Sequence, residues 1–177
     1  MKLDIIREQL PDYAKDLKLN LSSLLNDQTL TEQQRWGAFL ATALASRNAA
    51  LIAAVSADAA EKLTPEAAKA TKAAASIMAM NNIYYRFVHL ASHPDYAKLP
   101  AQLRMNIIGN PGVERVDFEL WSLAVSAING CGKCIDAHDQ VLRKAGVSHQ
   151  AIQQAVRIAS VVHAIAATLD GEESLAA

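Results

Sequence analysis

Residues 116–146 read VDFELWSLAVSAINGCGKCIDAHDQVLRKAG, and this stretch decides the fold. Apolar residues crowd Val116 to Ile128, which predicts a buried helix. Asn129-Gly130 breaks it. From Cys131 to Lys144 the apolar positions recur at helical spacing, and Gly146 supplies a C-terminal cap. Helix, short break and helix make an antiparallel helical hairpin. No segment elsewhere alternates apolar and polar residues as a half-buried strand does. The expected fold class is all-α.

Working outward, Leu3, Ile6 and Leu10 form a short amphipathic start, and Pro11 opens the next turn. Thr31-Glu-Gln-Gln is a capping box for a helix running to about Ala45. Residues 49–60 are Ala-rich and helical in character. Thr64-Pro65-Glu66 combines an N-cap, a proline at the first helical position and an acid in the first turn, so a long helix follows through Leu90. Pro94, Pro100 and Asn110-Pro111-Gly112 mark a connecting region. Ser148 caps a last helix that ends before an acidic, frayed tail.

The hairpin has a faint counterpart upstream. WGAFLATALASRNAAL at 36–51 aligns with WSLAVSAINGCGKCID at 121–136, TPEAAKA at 64–70 with SHQAIQQ at 148–154, and ASIMA at 75–79 with ASVVH at 159–163. We read residues 1–177 as one domain with an internal two-half repeat, the halves spanning approximately 31–92 and 116–170. In this alignment Ser46 and Ala49 stand where Cys131 and Cys134 stand, so the dithiol belongs to one half only. Trp36 and Trp121, at matching positions, read as core anchors.

The chain has 177 residues, 51% of them hydrophobic, and a formal net charge of −1, enough apolar material for one substantial core. Aromatic residues are only 5%, which with abundant alanine favours closely packed helices over a β-sandwich. No basic block suits nucleic acid, and no apolar stretch is long enough to span a membrane. The N-terminus carries acidic residues and no apolar core of a signal peptide, so the expected location is cytoplasmic. There a CxxC pair is more often catalytic or metal-binding than structural.

Cys131 opens its helix, where free backbone N–H groups and the helix dipole stabilise a thiolate. Cys134 lies three residues on, within the reach a disulfide requires. His138 follows one turn later, and at about 100° per residue the three side chains fall within roughly 60° of one another. Because the chain reverses at 129–130, Glu119 returns to within about a turn of His138. A carboxylate orienting an imidazole that serves a thiol forms a general-base chain. Asp117 and Asp139 are weaker substitutes for Glu119. A zinc site would need a further ligand beyond these two thiols and one imidazole. Spacing leaves the nucleophile open: Cys131 feels the dipole more and reads as the more exposed thiol, whereas Cys134 sits closer to His138.

The pattern of Glu119, Cys131-Gly-Lys-Cys134 and His138 resembles the alkylhydroperoxidase AhpD family within the carboxymuconolactone decarboxylase-like superfamily. LPDYAKDLKLNLSSLL at 10–25, IMAMNNIYYR at 77–86, LRMNIIGNPG at 103–112 and FELWSLAVSAINGC at 118–131 share the resemblance. It implies an AhpD-like helical fold assembled as a homotrimer, and an antioxidant peroxidase that reduces hydrogen peroxide and organic hydroperoxides. By that resemblance Cys134 is the peroxidatic nucleophile, Cys131 resolves it into a redox-active disulfide, and Glu119 and His138 relay protons.

The resemblance also implies dihydrolipoamide as electron donor, carried on the lipoyl domain of a 2-oxoacid dehydrogenase complex and regenerated by lipoamide dehydrogenase. The peroxiredoxin AhpC is an implied partner, and no cofactor is expected on the chain. Two other readings stay open: an adaptor that only relays electrons to AhpC, and a non-redox decarboxylase, which has no need of a dithiol. Some relatives carry histidine where this chain has Lys133, a cation that can steady a thiolate but shuttles protons poorly. His89, His93 and His149 have no catalytic company, His163 reads as a core or interface histidine, and Asn81 and Asn82 as possible interface residues.

Overall fold

The computed structural model describes residues 1–176. Among them the chain is helical and contains no strand. Its helices are α1 (Lys2–Gln9), α2 (Lys15–Asn26), α3 (Glu32–Ser46), α4 (Ala49–Ala59), α5 (Pro65–Leu90), α6 (Asn106–Gly109), α7 (Arg115–Ile128), α8 (Gly132–Lys144) and α9 (His149–Ala176). Short 3-10 turns at Asp12–Ala14 and Pro94–Ala97 complete the order. The all-α expectation holds.

Local signals start the helices where the sequence places them. Thr31 Oγ1 accepts from Gln34 N–H while the Gln34 side chain accepts from Thr31 N–H, each at 3.2 Å. Thr64 caps α5 through Ala67 N–H at 3.1 Å, and Ser148 caps α9 through Ala151 N–H at 3.1 Å. Such caps each contribute about 1 kcal/mol.

Helices α3 and α7 form the centre. Residues 35–43 of α3 and 117–126 of α7 are buried without interruption, as a helix surrounded by others must be. The long helices α5 and α9 pack against both, α1 against α4, and α2 against α9. Trp36 and Trp121 are core anchors as expected, 4% and 0% exposed. Trp121 Nε1 donates to Gln34 O at 3.1 Å, and its indole lies against Gly37, leaving no room for a Cβ. Gly37→Ala is expected to cost about 1–3 kcal/mol through overpacking. Thermal unfolding should show a lowered Tm; an unchanged Tm would mean that α3 and α7 part freely.

Start for start, Glu32 of α3 matches Arg115 of α7 and Ala49 of α4 matches Gly132 of α8. The left-handed residues before the second helix also match, Arg47 at φ 68° and Gly130 at φ 64°. On this correspondence we propose that the two halves are a repeat. Under it Asn48, the cap of α4, would stand opposite Cys131, the cap residue of α8, and Leu51 opposite Cys134, two positions from the pairing in the sequence alignment.

Two further expectations need correction. The acidic tail does not fray, because α9 continues to Ala176. Long-range bonds hold it: Asn48 Nδ2 donates to Asp170 Oδ1 at 2.7 Å, and Tyr13 Oη to Glu172 Oε1 at 2.6 Å. The bond to Glu172 raises the pKa of the Tyr13 hydroxyl above its ordinary value. Of the two readings of His163, core and interface, the first falls: it is exposed on α9, with Nδ1 3.3 Å from Ser46 Oγ. By length and composition α9 could cross a membrane, yet half of its most apolar stretch is buried against the protein, as in a core helix.

Candidate active site

Helix α8 buries only Cys134, His138 and Leu142, a one-residue-wide stripe at four-residue spacing that faces α5 and α7. The turn before it is held from α5. Asn129 Nδ2 donates to Asn82 Oδ1 and Asn82 Nδ2 to Ser126 Oγ, both at 2.9 Å. Arg86 donates to Asn129 O. Gly130 takes the left-handed conformation that the reversal needs. Cys131 N–H then bonds Ser126 O at 3.1 Å, tying the start of α8 back to α7.

Cys131 and Cys134 are joined as a disulfide with their Cα atoms 5.3 Å apart. Their exposures reverse the expectation that Cys131 is the more accessible thiol: it is 0% exposed, and Cys134 is 6% exposed. The reason is the turn, whose backbone bond to Ser126 draws the cap residue inward. Cys134, in the first turn of α8, faces a cleft of about 280 Å³ between α5, α7 and α8.

His138, Glu119 and Lys133 line the same cleft. The hairpin brings Glu119 to His138 as its symmetry about the turn predicts, with Glu119 Oε2 2.6 Å from His138 Nδ1. Both side chains are nearly buried, 3% and 8% exposed, so the pair is fixed and little screened. Arg115, on the surface, reaches the other carboxylate oxygen at 3.3 Å. Neither substitute competes for the imidazole. Asp117 is held by the Gln33 and Gln34 side chains at 2.7 and 2.9 Å, and Asp139 pairs with Arg143 at 2.7 Å. Lys133 Nζ lies 5.7 Å from the centre of the Tyr85 ring, a cation–π contact at the cleft wall.

The second imidazole nitrogen has an unanticipated neighbour. His138 Nε2 is 3.3 Å from Met78 Sδ. Cys134 Sγ in turn lies 3.9 Å from Asn81 O. Met78 and Asn81, with Tyr85, place one face of α5 along the cleft. This corrects the reading of Asn81 and Asn82 as interface residues: they are 4% and 0% exposed, one in the site and the other in its supporting network. Two asparagines at a helix position that must face the core were the available signal. Among the described residues no three His, Cys, Asp or Glu side chains gather as a metal ion would require.

Chemically, the cleft presents one sulfur of a disulfide and a buried imidazole–carboxylate pair, enclosed by Met105, Ile108 and Val141. The carboxymuconolactone decarboxylase family model matches residues 94–175, which contain this hairpin. The chain is similar throughout to proteins named alkyl hydroperoxide reductase AhpD. The one from Rhodopseudomonas palustris (strain BisA53) is 59% identical over 177 residues, covering 99% of this chain and 98% of that protein. A relative from Gluconacetobacter diazotrophicus is 60% identical over 175 residues, covering 99% and 96%. Another, from Methylobacterium sp. (strain 4-46), is 61% identical over 176 residues, covering 99% and 100%. With that identity along nearly the whole chain, and with its cysteine pair in disulfide geometry, this chain belongs to the AhpD family of alkyl hydroperoxide reductases.

Proposed function

We propose that this chain reduces hydrogen peroxide and organic hydroperoxides by cycling Cys131 and Cys134 between dithiol and disulfide. The observation that carries the reading is the 2.6 Å His138–Glu119 pair lining the same cleft as Cys134. In the dithiol form His138 takes the Cys134 proton while Glu119 steadies the imidazolium. The thiolate attacks the terminal peroxide oxygen. An S–O bond forms, the O–O bond breaks, and the leaving alkoxide takes the proton from His138 to depart as alcohol. Cys131, buried directly behind, attacks the sulfenic sulfur; the disulfide forms and water leaves. The division of labour follows from position, since Cys134 opens on the cleft and Cys131 does not.

Dihydrolipoamide is the proposed reductant. Exchange of its two thiols with the Cys131–Cys134 disulfide restores the dithiol and yields lipoamide, so the chain needs no cofactor of its own. A narrow lipoyl arm suits the cleft better than a folded protein surface does, because neither sulfur is exposed on the outside. We place the protein in the cytoplasm, with lipoamide dehydrogenase and AhpC as redox partners. The test is peroxide-dependent NADH oxidation with lipoamide and lipoamide dehydrogenase. Turnover without AhpC is expected. Turnover only when AhpC is added would replace the peroxidase reading with that of an electron adaptor.

The proposed homotrimer has a suitable surface. Ile83, Phe87 and Leu90 are 59%, 50% and 70% exposed along α5, and Leu99 is 62% exposed beyond it. Phe87 packs its ring 5.0 Å from that of Tyr96, extending an apolar ridge. Sedimentation of the wild type should give a trimer, and Phe87→Asp with Leu90→Asp should give a monomer. A trimer that persists in the double variant would move the interface elsewhere.

A further inference from the structure

Almost every polar side chain around the cleft is already paired: Glu119 with His138, Asn82 with Ser126 and Asn129. Asn81 is the buried exception. It is 4% exposed, it lines the cleft, and its side-chain Oδ1 is buried with no hydrogen-bond partner. Two other buried polar atoms share that condition among the described residues, Arg35 Nε and Ser122 Oγ, and neither residue lines the cleft. A buried amide oxygen without a partner carries a desolvation cost that nothing offsets. Such a cost at a site is recovered when a ligand supplies the missing donor.

The position of Asn81 limits what that ligand can be. Its main-chain oxygen is 3.9 Å from Cys134 Sγ, and both residues line the same cleft, so Asn81 and the sulfur share one wall of it. Asn81 Oδ1 needs a hydrogen-bond donor, and an ionised carboxylate offers none. A hydroperoxide does offer one, and on the oxygen that the sulfur must attack.

We propose that Asn81 is a substrate-binding residue whose side-chain oxygen accepts the O–H of the hydroperoxide and holds its terminal oxygen against Cys134. The proton donated to Asn81 stays on that oxygen throughout. It becomes the sulfenic O–H when the S–O bond forms and the O–O bond breaks, while the alkoxide leaves toward His138. Asn81 therefore orients the attacked oxygen, and His138 serves the leaving one. The inference rests on Cys134 being the thiol that meets peroxide.

The test compares two oxidants of the pre-reduced protein in stopped flow. Cumene hydroperoxide carries the O–H; 4,4′-dithiodipyridine accepts the same thiolate attack without one. Their rate ratio cancels any change in thiolate fraction. Asn81→Leu should lower the hydroperoxide rate about tenfold, the loss of one hydrogen bond, and leave the dithiodipyridine rate unchanged. Asn81→Asp, which keeps an oxygen acceptor, should retain the wild-type ratio. If Asn81→Leu does not fold, as judged by circular dichroism, Asn81→Ala should give the same lowered ratio. Equal slowing with both oxidants, or no change with either, would overturn the role of Asn81 alone. A wild type that reacts with dithiodipyridine but not with hydroperoxide would overturn the peroxidase reading as well.

Discussion

Cys134→Ser should abolish peroxide consumption, with NADH oxidation in the coupled assay falling to the rate without protein. The reason is positional. Cys134 is the sulfur that opens on the cleft beside His138, while Cys131 is wholly buried behind it. Cys131→Ser should behave differently. It keeps the proposed attacking thiol and loses the proposed resolving one, so a single equivalent of hydroperoxide should convert Cys134 to a sulfenic acid that dimedone traps. Steady turnover should stop after that first event. If instead Cys131→Ser lost all reaction with peroxide while Cys134→Ser formed a sulfenic acid, the two roles would be exchanged. Serine is nearly isosteric in both places, so neither change should disturb the core.

The second large effect belongs to Glu119. Its carboxylate is 3% exposed and 2.6 Å from His138 Nδ1; in the proposed cycle it orients the ring and stabilises the imidazolium formed as Cys134 ionises. Glu119→Gln preserves the shape and removes the charge. General acid–base chemistry contributes about 10²–10⁴-fold, and we expect a loss of about 10²-fold in kcat/KM for hydroperoxide. His138→Ala should lose at least as much. Thiol alkylation by iodoacetamide, followed across the same variants, separates the two parts of the relay. Slower alkylation reports the loss of thiolate, and any additional loss with hydroperoxide reports the missing proton for the leaving alkoxide. A Glu119→Gln protein with wild-type kcat/KM would remove the carboxylate from the mechanism.

Much of this site was legible because its key contact is local in topology. Asn129-Gly130 marks the reversal, and residues at similar distances on either side of a hairpin must meet, which brings Glu119 to His138. The helical spacing of Cys134 and His138 likewise fixes their shared face. The parts that sequence reading missed depend on neighbours distant in the chain. Met78 and Asn81 reach the site only because α5 packs across α8, and nothing near residue 131 encodes that crossing. The inward position of Cys131 depends on a turn whose geometry is set by Ser126 and by the Asn82–Asn129 bond. The helical tail was missed for the same reason, since its carboxylates find Tyr13 and Asn48 at the far end of the chain.

In the proposed cycle a hydroperoxide drives the Cys131–Cys134 pair from dithiol to disulfide, and dihydrolipoamide drives it back. The most direct measurement mixes pre-reduced protein with substoichiometric hydroperoxide, quenches with an alkylating agent and maps the peptides by mass spectrometry. The expected result is one Cys131–Cys134 disulfide formed for each hydroperoxide consumed, and its complete return to alkylatable thiols after dihydrolipoamide is added. Hydroperoxide consumed while both cysteines stay alkylatable, or a disulfide that dihydrolipoamide leaves intact, would contradict it.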